Sequence, residues 1–136
     1  MDISGETEIE RAIQEWFNKL EQAVNSTDYD FAKENLFAED VVSFGTKAGE
    51  VMQGVQNLAT QQWCNVWPNI KDFAFDDNLH LLVSGNQACA IITWQSQGVL
   101  SDGSGFHRPG RATVLFEQRG GQWLAVHTHF SLTPAT

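Results

Sequence analysis

The spacing of apolar and polar residues divides the chain into a helical first half and a strand-rich second half. Across residues 8–24, apolar side chains recur every three or four positions, which predicts a helix with one buried face. A shorter helix is expected at 29–37 and a third at 55–67, where Pro68 ends the helical spacing. Between the second and third helices, residues 40–45 have the composition of a short strand.

The second half has apolar runs that favour β-strands, separated by segments rich in glycine, asparagine and aspartate that are typical of turns. The predicted strands are 73–83, 88–100, 111–118 and 122–133. Helices that precede one antiparallel sheet predict an α+β fold. Strands of this length must curl around the helices, and the hollow that they leave is a plausible ligand pocket.

The length and composition indicate one globular domain over residues 1–136, with 1–7 as a flexible leader. The apolar content of 42% is ordinary for a folded domain, and no apolar run approaches the roughly 20 residues that span a bilayer. A net charge of −9 argues against a nucleic-acid partner and against an anionic membrane surface. The acidic, polar N-terminus is unlike a secretion signal, so a cytoplasmic location is expected.

The sequence offers little support for cofactor or metal chemistry. It has no glycine-rich phosphate loop, no Cys-x-x-Cys and no Gly-x-Ser-x-Gly elbow, so neither a cofactor nor a metal is expected. Cys64 and Cys89 lack motif spacing and lie in apolar stretches, which predicts reduced core residues rather than a disulfide.

Three segments carry a family resemblance: Ala88-Cys89-Ala90, the turn Asp-Gly-Ser-Gly at 102–105, and Arg-Gly-Gly-Gln-Trp-Leu-Ala-Val-His-Thr-His-Phe-Ser at 119–131. With the element order, they make the chain similar to the cone-shaped, cystatin-like fold of the nuclear-transport-factor-2-like (NTF2-like) and SnoaL-like proteins. The nearest resemblance is to the association domain of calcium/calmodulin-dependent protein kinase II (CaMKII) and its bacterial relatives. It implies N-terminal helices packed on a curved antiparallel sheet, and a homodimer.

The chain departs from those relatives in its cavity. The ketosteroid isomerases, which resemble it in fold, have a general base, a tyrosine and an acid where this chain has Gly45, Leu20 and residues 112–114. The cavity arginines of the association domain correspond to Trp94, Val114 and Phe130. The resemblance therefore implies an aromatic-rich cavity with one charge or none, and no steroid-isomerase mechanism.

Trp94 shares a strand face with Ala90, Ile92 and Ser96, and the resemblance directs that face toward the cavity. A tryptophan there either stacks on a flat ligand or fills the core. The residues expected to line the pocket are Trp16, Leu20, Phe44, Trp63, Ile92, Trp94, Thr128 and Phe130.

His127 and His129 lie two apart on a strand and point to one face, while Leu124, Val126 and Phe130 are expected on the face that meets the helices. Together with Trp123, the histidines are expected at a dimer face. The alternative is a metal site completed by His107 or a carboxylate.

Asp40, His107 and Arg111 are candidate catalytic residues, on weaker grounds than the pocket residues. The alternative is that Asp40 caps a turn and that Arg111 pairs with Glu117 or another acid. The preferred hypothesis is a homodimer that binds a small, largely apolar or aromatic metabolite. The alternatives are an isomerase, cyclase or dehydratase in the same cavity, and an oligomerisation module without a ligand.

Overall fold

The computed structural model describes residues 3–46 and 49–134. The helices precede most of the sheet, as the pattern predicts. They are α1 (Ile3–Ser26), α2 (Tyr29–Asn35), α3 (Val55–Leu58) and α4 (Cys64–Val66), with a π-helical turn at Ala59–Trp63 between α3 and α4 and a 3₁₀ turn at Trp67–Asn69 after α4. Asp28 caps α2, since its carboxylate accepts from the backbone N–H of Phe31 at 3.2 Å.

Eight strands form one curved sheet with the order β2-β1-β8-β7-β5-β3, and β4 and β6 also pair with β5. The strands are β1 (Phe37–Phe44), β2 (Met52–Gln53), β3 (Ile70–Phe75), β4 (His80–Ser84), β5 (Gln87–Val99), β6 (Gly105–His107), β7 (Gly110–Arg119) and β8 (Gln122–Leu132). The pairing of β1 with β8 is parallel, and the other pairings are antiparallel. The predicted α+β fold is confirmed.

The long strand β5 is the axis of the sheet, because interrupted partners flank it on both sides. On one side β3 and β4 pair with its two ends, and residues 76–79 separate them. On the other side β6 and β7 do the same, and Arg108 and Pro109 separate them. These interruptions let the partners change direction while β5 continues, so the sheet curves around the helices.

The core lies between α1 and the inner face of this sheet, by which we mean the face that carries Ala88, Ala90, Ile92, Trp94 and Ser96. Residues at these alternate positions of β5 are buried, as the two-residue period requires. The stripe of α1 that packs against them consists of Ile13, Trp16, Phe17, Leu20, Ala23 and Val24, each at most 4% exposed.

Several sequence-based boundaries are wrong. Helix α1 begins at Ile3 rather than at residue 8, so it includes the described part of the segment 1–7. The expected strand 73–83 is two strands, because residues 76–79 leave the ladder. The strand β6 falls where a loop was expected. Both cysteines are free, but Cys64 is exposed rather than buried in the core, since it lies on the outer side of α4.

Candidate functional site

A cavity of about 60 Å³ lies between the inner face of the sheet, α1 and the segment from α3 to the 3₁₀ turn. Most of its described lining is apolar. The lining residues are Leu20, Val24, Phe37, Phe44, Gly45, Thr46, Leu58, Gln62, Trp63, Val66, Trp67, Ile70, Phe73, Trp94, Arg108, Thr128 and Phe130.

Aromatic rings form two walls of the cavity. On the helical side, the rings of Trp63 and Trp67 are stacked, with centroids 4.7 Å apart and planes 16° apart. On the sheet side, the ring centroid of Trp94 lies 5.5 Å from that of Phe73 and 6.3 Å from that of Phe130. These rings pack against one another, and such contacts favour the observed arrangement of the walls.

Arg108 reaches the cavity because of its register in the sheet. Its backbone exchanges two hydrogen bonds with Ser96, from Arg108 N–H to Ser96 O at 2.8 Å and from Ser96 N–H to Arg108 O at 3.0 Å. Residues that face each other across a ladder point to the same side, and Ser96 is on the inner face. The guanidinium carbon consequently lies 5.3 Å from the centroid of the Trp94 ring, within cation–π range.

The guanidinium of Arg108 is held by hydroxyl groups. Its Nη2 donates to Thr46 Oγ1 at 2.9 Å and its Nη1 donates weakly to Ser96 Oγ at 3.5 Å. The ion pairs among the described residues involve Lys33 and Arg119, so no described carboxylate pairs with Arg108. Partial burial lowers the pKa of Arg108 from its ordinary value, because desolvation disfavours the charged form.

Other polar groups along the cavity bond to protein atoms. Thr128 and Ser43 share a hydrogen bond of 2.7 Å between their hydroxyl groups, and both residues are buried. Gln62 Nε2 donates to Thr46 Oγ1 at 3.3 Å, so Thr46 accepts from both Gln62 and Arg108. In the described part of the chain, the indole N–H of Trp94 is the one buried side-chain polar atom that has no partner.

Six of the eight residues expected in the pocket line this cavity: Leu20, Phe44, Trp63, Trp94, Thr128 and Phe130. Trp16 and Ile92 lie outside the lining. The Trp16 ring contacts Phe17 and Phe116, and its Nε1 donates to Leu36 O at 2.8 Å, which holds it in the core. Ile92 is 2% exposed on the inner face and belongs to the same core.

The structure places the three candidate catalytic residues away from the cavity. Asp40 is on the surface, where its carboxylate accepts from Arg119 Nη1 at 2.9 Å and the pKa of Asp40 is lowered by that bond. His107 is exposed and its Nε2 contacts Gln95 Oε1. Arg111 is exposed on the outer face of the sheet, opposite the buried Gly110 and Ala112.

His127 and His129 lie on the outer face, directed away from the cavity. His127 Nδ1 is 2.7 Å from the carbonyl oxygen of Val42, and the His129 ring centroid is 5.3 Å from that of Phe44. Ala125 takes the buried position on β8, because a bulge shifts the register between Leu115 and Phe116. Trp123 is half-buried against the core.

Among the described lining residues that the sequence did not predict, Arg108 is the one that carries a charge. It follows a turn segment and precedes Pro109, and it lies outside the predicted strands 88–100 and 111–118. The available signal was the pairing around that turn: once Gly98 faces Phe106, residues 106, 108 and 110 share the inner face with Ser96 and Trp94. The described lining of the cavity therefore contains one charged residue, Arg108. This arginine is not at any of the three positions that correspond to the cavity arginines of the association domain.

A family model described as the SnoaL-like domain matches residues 4–136. The chain belongs to the SnoaL-like family. Comparison of this SnoaL-like domain with curated proteins finds no match. The resemblance stated from the sequence is confirmed.

Solved structures share the fold of this SnoaL-like domain. An NTF2-like superfamily protein from Salmonella enterica has 19% identity and a TM-score of 0.82, covering 96% of this chain and 94% of that one. The association domain of C. elegans CaMKII has 17% identity and a TM-score of 0.66, with 94% and 95% covered. A protein with a cystatin-like fold from Caulobacter vibrioides has 19% identity and a TM-score of 0.75, with 91% and 89% covered. At these identities the likeness shows the fold alone.

None of the described helices has the length and apolar character needed to cross a membrane.

Proposed function

We propose that this SnoaL-like domain binds a compact, largely apolar or aromatic small molecule in the cavity between the sheet and the helices. The observation that carries the proposal is the pair of packed aromatic walls, Trp63 with Trp67 and Trp94 with Phe73 and Phe130, which line one cavity. Sites for small ligands are concave and mainly apolar, with few polar groups that fix orientation. Thr46, Gln62, Arg108 and Thr128 are such groups here.

The size of the cavity restricts the ligand. Its volume of about 60 Å³ is far below the roughly 300–1,000 Å³ of sites for drug-sized molecules. A ligand of about one ring matches this space better than a steroid or polyketide. A flat ring would gain stacking energy on Trp94 or Trp63 in addition to the transfer of its apolar surface from water.

Binding is favoured over an isomerase, cyclase or dehydratase activity because Asp40, His107 and Arg111 lie outside the cavity. Proton transfer requires a titratable group within hydrogen-bond reach of the substrate, or one water away. The described lining offers Arg108 as its titratable side chain, and an arginine stays protonated in proteins.

We further propose that two copies associate through the outer face of the sheet. Exposed apolar side chains there include Val42, Leu82 and Ile91, at 37%, 65% and 45% exposure, and His127 and His129 lie on the same face. Exposed apolar side chains grouped on one face of a sheet favour protein–protein contacts. The fold likeness to an association domain supports the same proposal.

Native mass spectrometry under gentle and then denaturing conditions tests both proposals. We expect a dimer that carries a small molecule, which is released on denaturation. An Ile70→Trp variant adds bulk at the half-buried edge of the cavity and should remove the bound mass, whereas Leu100→Trp, at a half-exposed position outside the lining, should keep it. If the wild-type protein carries no small molecule and its tryptophan fluorescence does not change when small aromatic compounds are added, the binding proposal is wrong.

Ile91→Asp tests the interface, with Leu100→Asp as its control. Both sites are about half exposed, but Ile91 is central on the outer face and Leu100 lies beyond the end of β5. In sedimentation velocity experiments, Ile91→Asp should give monomers and Leu100→Asp should match the wild type. A monomeric wild-type protein, or dimers in both variants, would contradict an interface at this face.

A further inference from the structure

We infer that the cavity selects ligands that carry one carboxylate group, which binds Arg108 while the apolar part of the ligand lies against the aromatic walls. This inference rests on the proposed function and adds the chemical class of the ligand. It depends on the position of one side chain: Arg108 is the single charged residue among the described residues that line the cavity.

The geometry of Arg108 leaves it able to bind an anion. One face of the guanidinium lies against the Trp94 ring, so an acceptor must approach along the N–H edge. Hydroxyl oxygens of Thr46 and Ser96 receive two of its five N–H groups, and no described carboxylate neutralises its charge. A planar N–H edge matches the two oxygens of a carboxylate.

The charge balance favours a monoanion. A positive charge that is partly withdrawn from water and lacks an ion-pair partner is costly, and a ligand carboxylate would remove that cost. A phosphate dianion would bring a second negative charge among apolar side chains, where the described lining has no second cation to pair with it. The protein also has a net charge of −9, so a general attraction for anions at its surface is not expected.

The experiment compares acids with amides of the same shape. Benzoate and phenylacetate are titrated against benzamide and phenylacetamide, with isothermal calorimetry and tryptophan fluorescence as readouts, because Trp63, Trp67 and Trp94 line the cavity. We expect the acids to bind the wild-type protein about 10- to 100-fold more tightly than the amides, the range that corresponds to one charge-assisted hydrogen-bonded contact.

Two variants remove the charge at Arg108 and one matched variant removes a charge elsewhere. Arg108→Gln and Arg108→Met should abolish the preference for acids, measured within each variant as the ratio of the dissociation constants of the amide and of the acid. Two substitutions are used so that a folding defect in one, detected by circular dichroism, does not remove the test. Arg111→Gln makes the same charge change three residues away on the outer face and should retain the preference.

The outcomes separate this inference from the proposed function. If acids and amides bind equally and Arg108→Gln changes neither, the cavity binds small molecules but the carboxylate assignment is wrong. If Arg111→Gln weakens acid binding as much as Arg108→Gln, the effect is general electrostatics and the assignment is again wrong. If inorganic phosphate competes for the cavity more strongly than benzoate does, the preference for a singly charged anion is wrong. If neither acids nor amides bind and no small molecule co-purifies, both proposals fail.

Discussion

A substitution at Gly110 tests the packing of the Trp94 ring directly. A Cβ atom added there would lie 2.0 Å from Cζ2 and 2.2 Å from Cε2 of the Trp94 ring, well inside van der Waals contact. Trp94 is 1% exposed and its ring contacts Phe73 and Phe130, so displacing the ring would disrupt those contacts. The sequence places glycine at 110 because the indole occupies the volume of the missing side chain.

Two effects of Gly110→Ala oppose each other, and their sizes decide the result. The φ of Gly110 is outside the left-handed region, so alanine stabilises by about 0.4–1 kcal/mol through the unfolded state. Forcing a buried ring from its position costs about 1–3 kcal/mol. We expect a net loss of about 1–2 kcal/mol in the free energy of unfolding, measured by urea denaturation with tryptophan fluorescence.

Two other glycines provide matched controls. At Gly105 the added Cβ would lie 3.5 Å or more from its neighbours, so Gly105→Ala should be neutral or stabilising by up to about 1 kcal/mol. At Gly98 the added Cβ would lie 2.1 Å from the Phe106 ring, but that ring is 45% exposed and can rotate into solvent, so the change should stay within about 0.5 kcal/mol. Equal losses in all three variants, or no loss for Gly110→Ala, would refute the reasoning.

Two further predictions concern polar contacts. Ser43→Ala or Thr128→Val should each lower the free energy of unfolding by about 1–3 kcal/mol, because a buried hydroxyl loses its hydrogen-bond partner. In a double-mutant cycle measured by urea denaturation, the double variant should lose less than the sum of the two single losses, and additive losses would contradict a shared hydrogen bond. Arg119→Gln should destabilise slightly at pH 7 and by less at pH 3. The contacts of Arg119 lower the pKa of Asp40 and Glu117. The stability that these contacts contribute is therefore present above the ordinary carboxyl pKa values of 3.8 and 4.5, and it is lost as the pH falls through the lowered values. Thermal unfolding that shows the same difference in stability between wild type and variant at both pH values would contradict this.

The fold was largely predictable from the sequence because its main signals are periodic. Residues buried on α1 and on alternate positions of β5 follow the helical and strand periods directly. One error passes over a turn signal that the sequence does contain: the predicted strand 73–83 includes Asp76, Asp77 and Asn78, and the structure breaks at 76–79. The other has no such signal, because the pattern 55–67 does not show that a π-helical turn at Ala59–Trp63 interrupts the third helix.

The cavity walls were predictable in part, and the reason differs between residues. Trp94 follows from strand alternation, because every second residue of β5 faces the helices. Trp16 fits the same helical stripe as Leu20, and only the tertiary structure shows that its ring turns toward Phe116 while Leu20 meets the cavity. A helical stripe identifies the buried face, but it does not say which buried residues meet solvent-accessible space.

The direction of the Arg108 side chain depends on a longer-range feature, the register between the two strands joined by the turn at 101–104. A shift of one residue in the pairing of Ser96 with Arg108 would turn the guanidinium to the outer face and place Pro109 over the cavity. The same pairing sets Gly110 opposite Trp94. The absence of a side chain at Gly110 therefore leaves room for the Trp94 ring, and the guanidinium of Arg108 lies over that ring. Loss of carboxylate preference in Gly110→Ala, with Arg108 intact, would show that the two positions act as one structural unit.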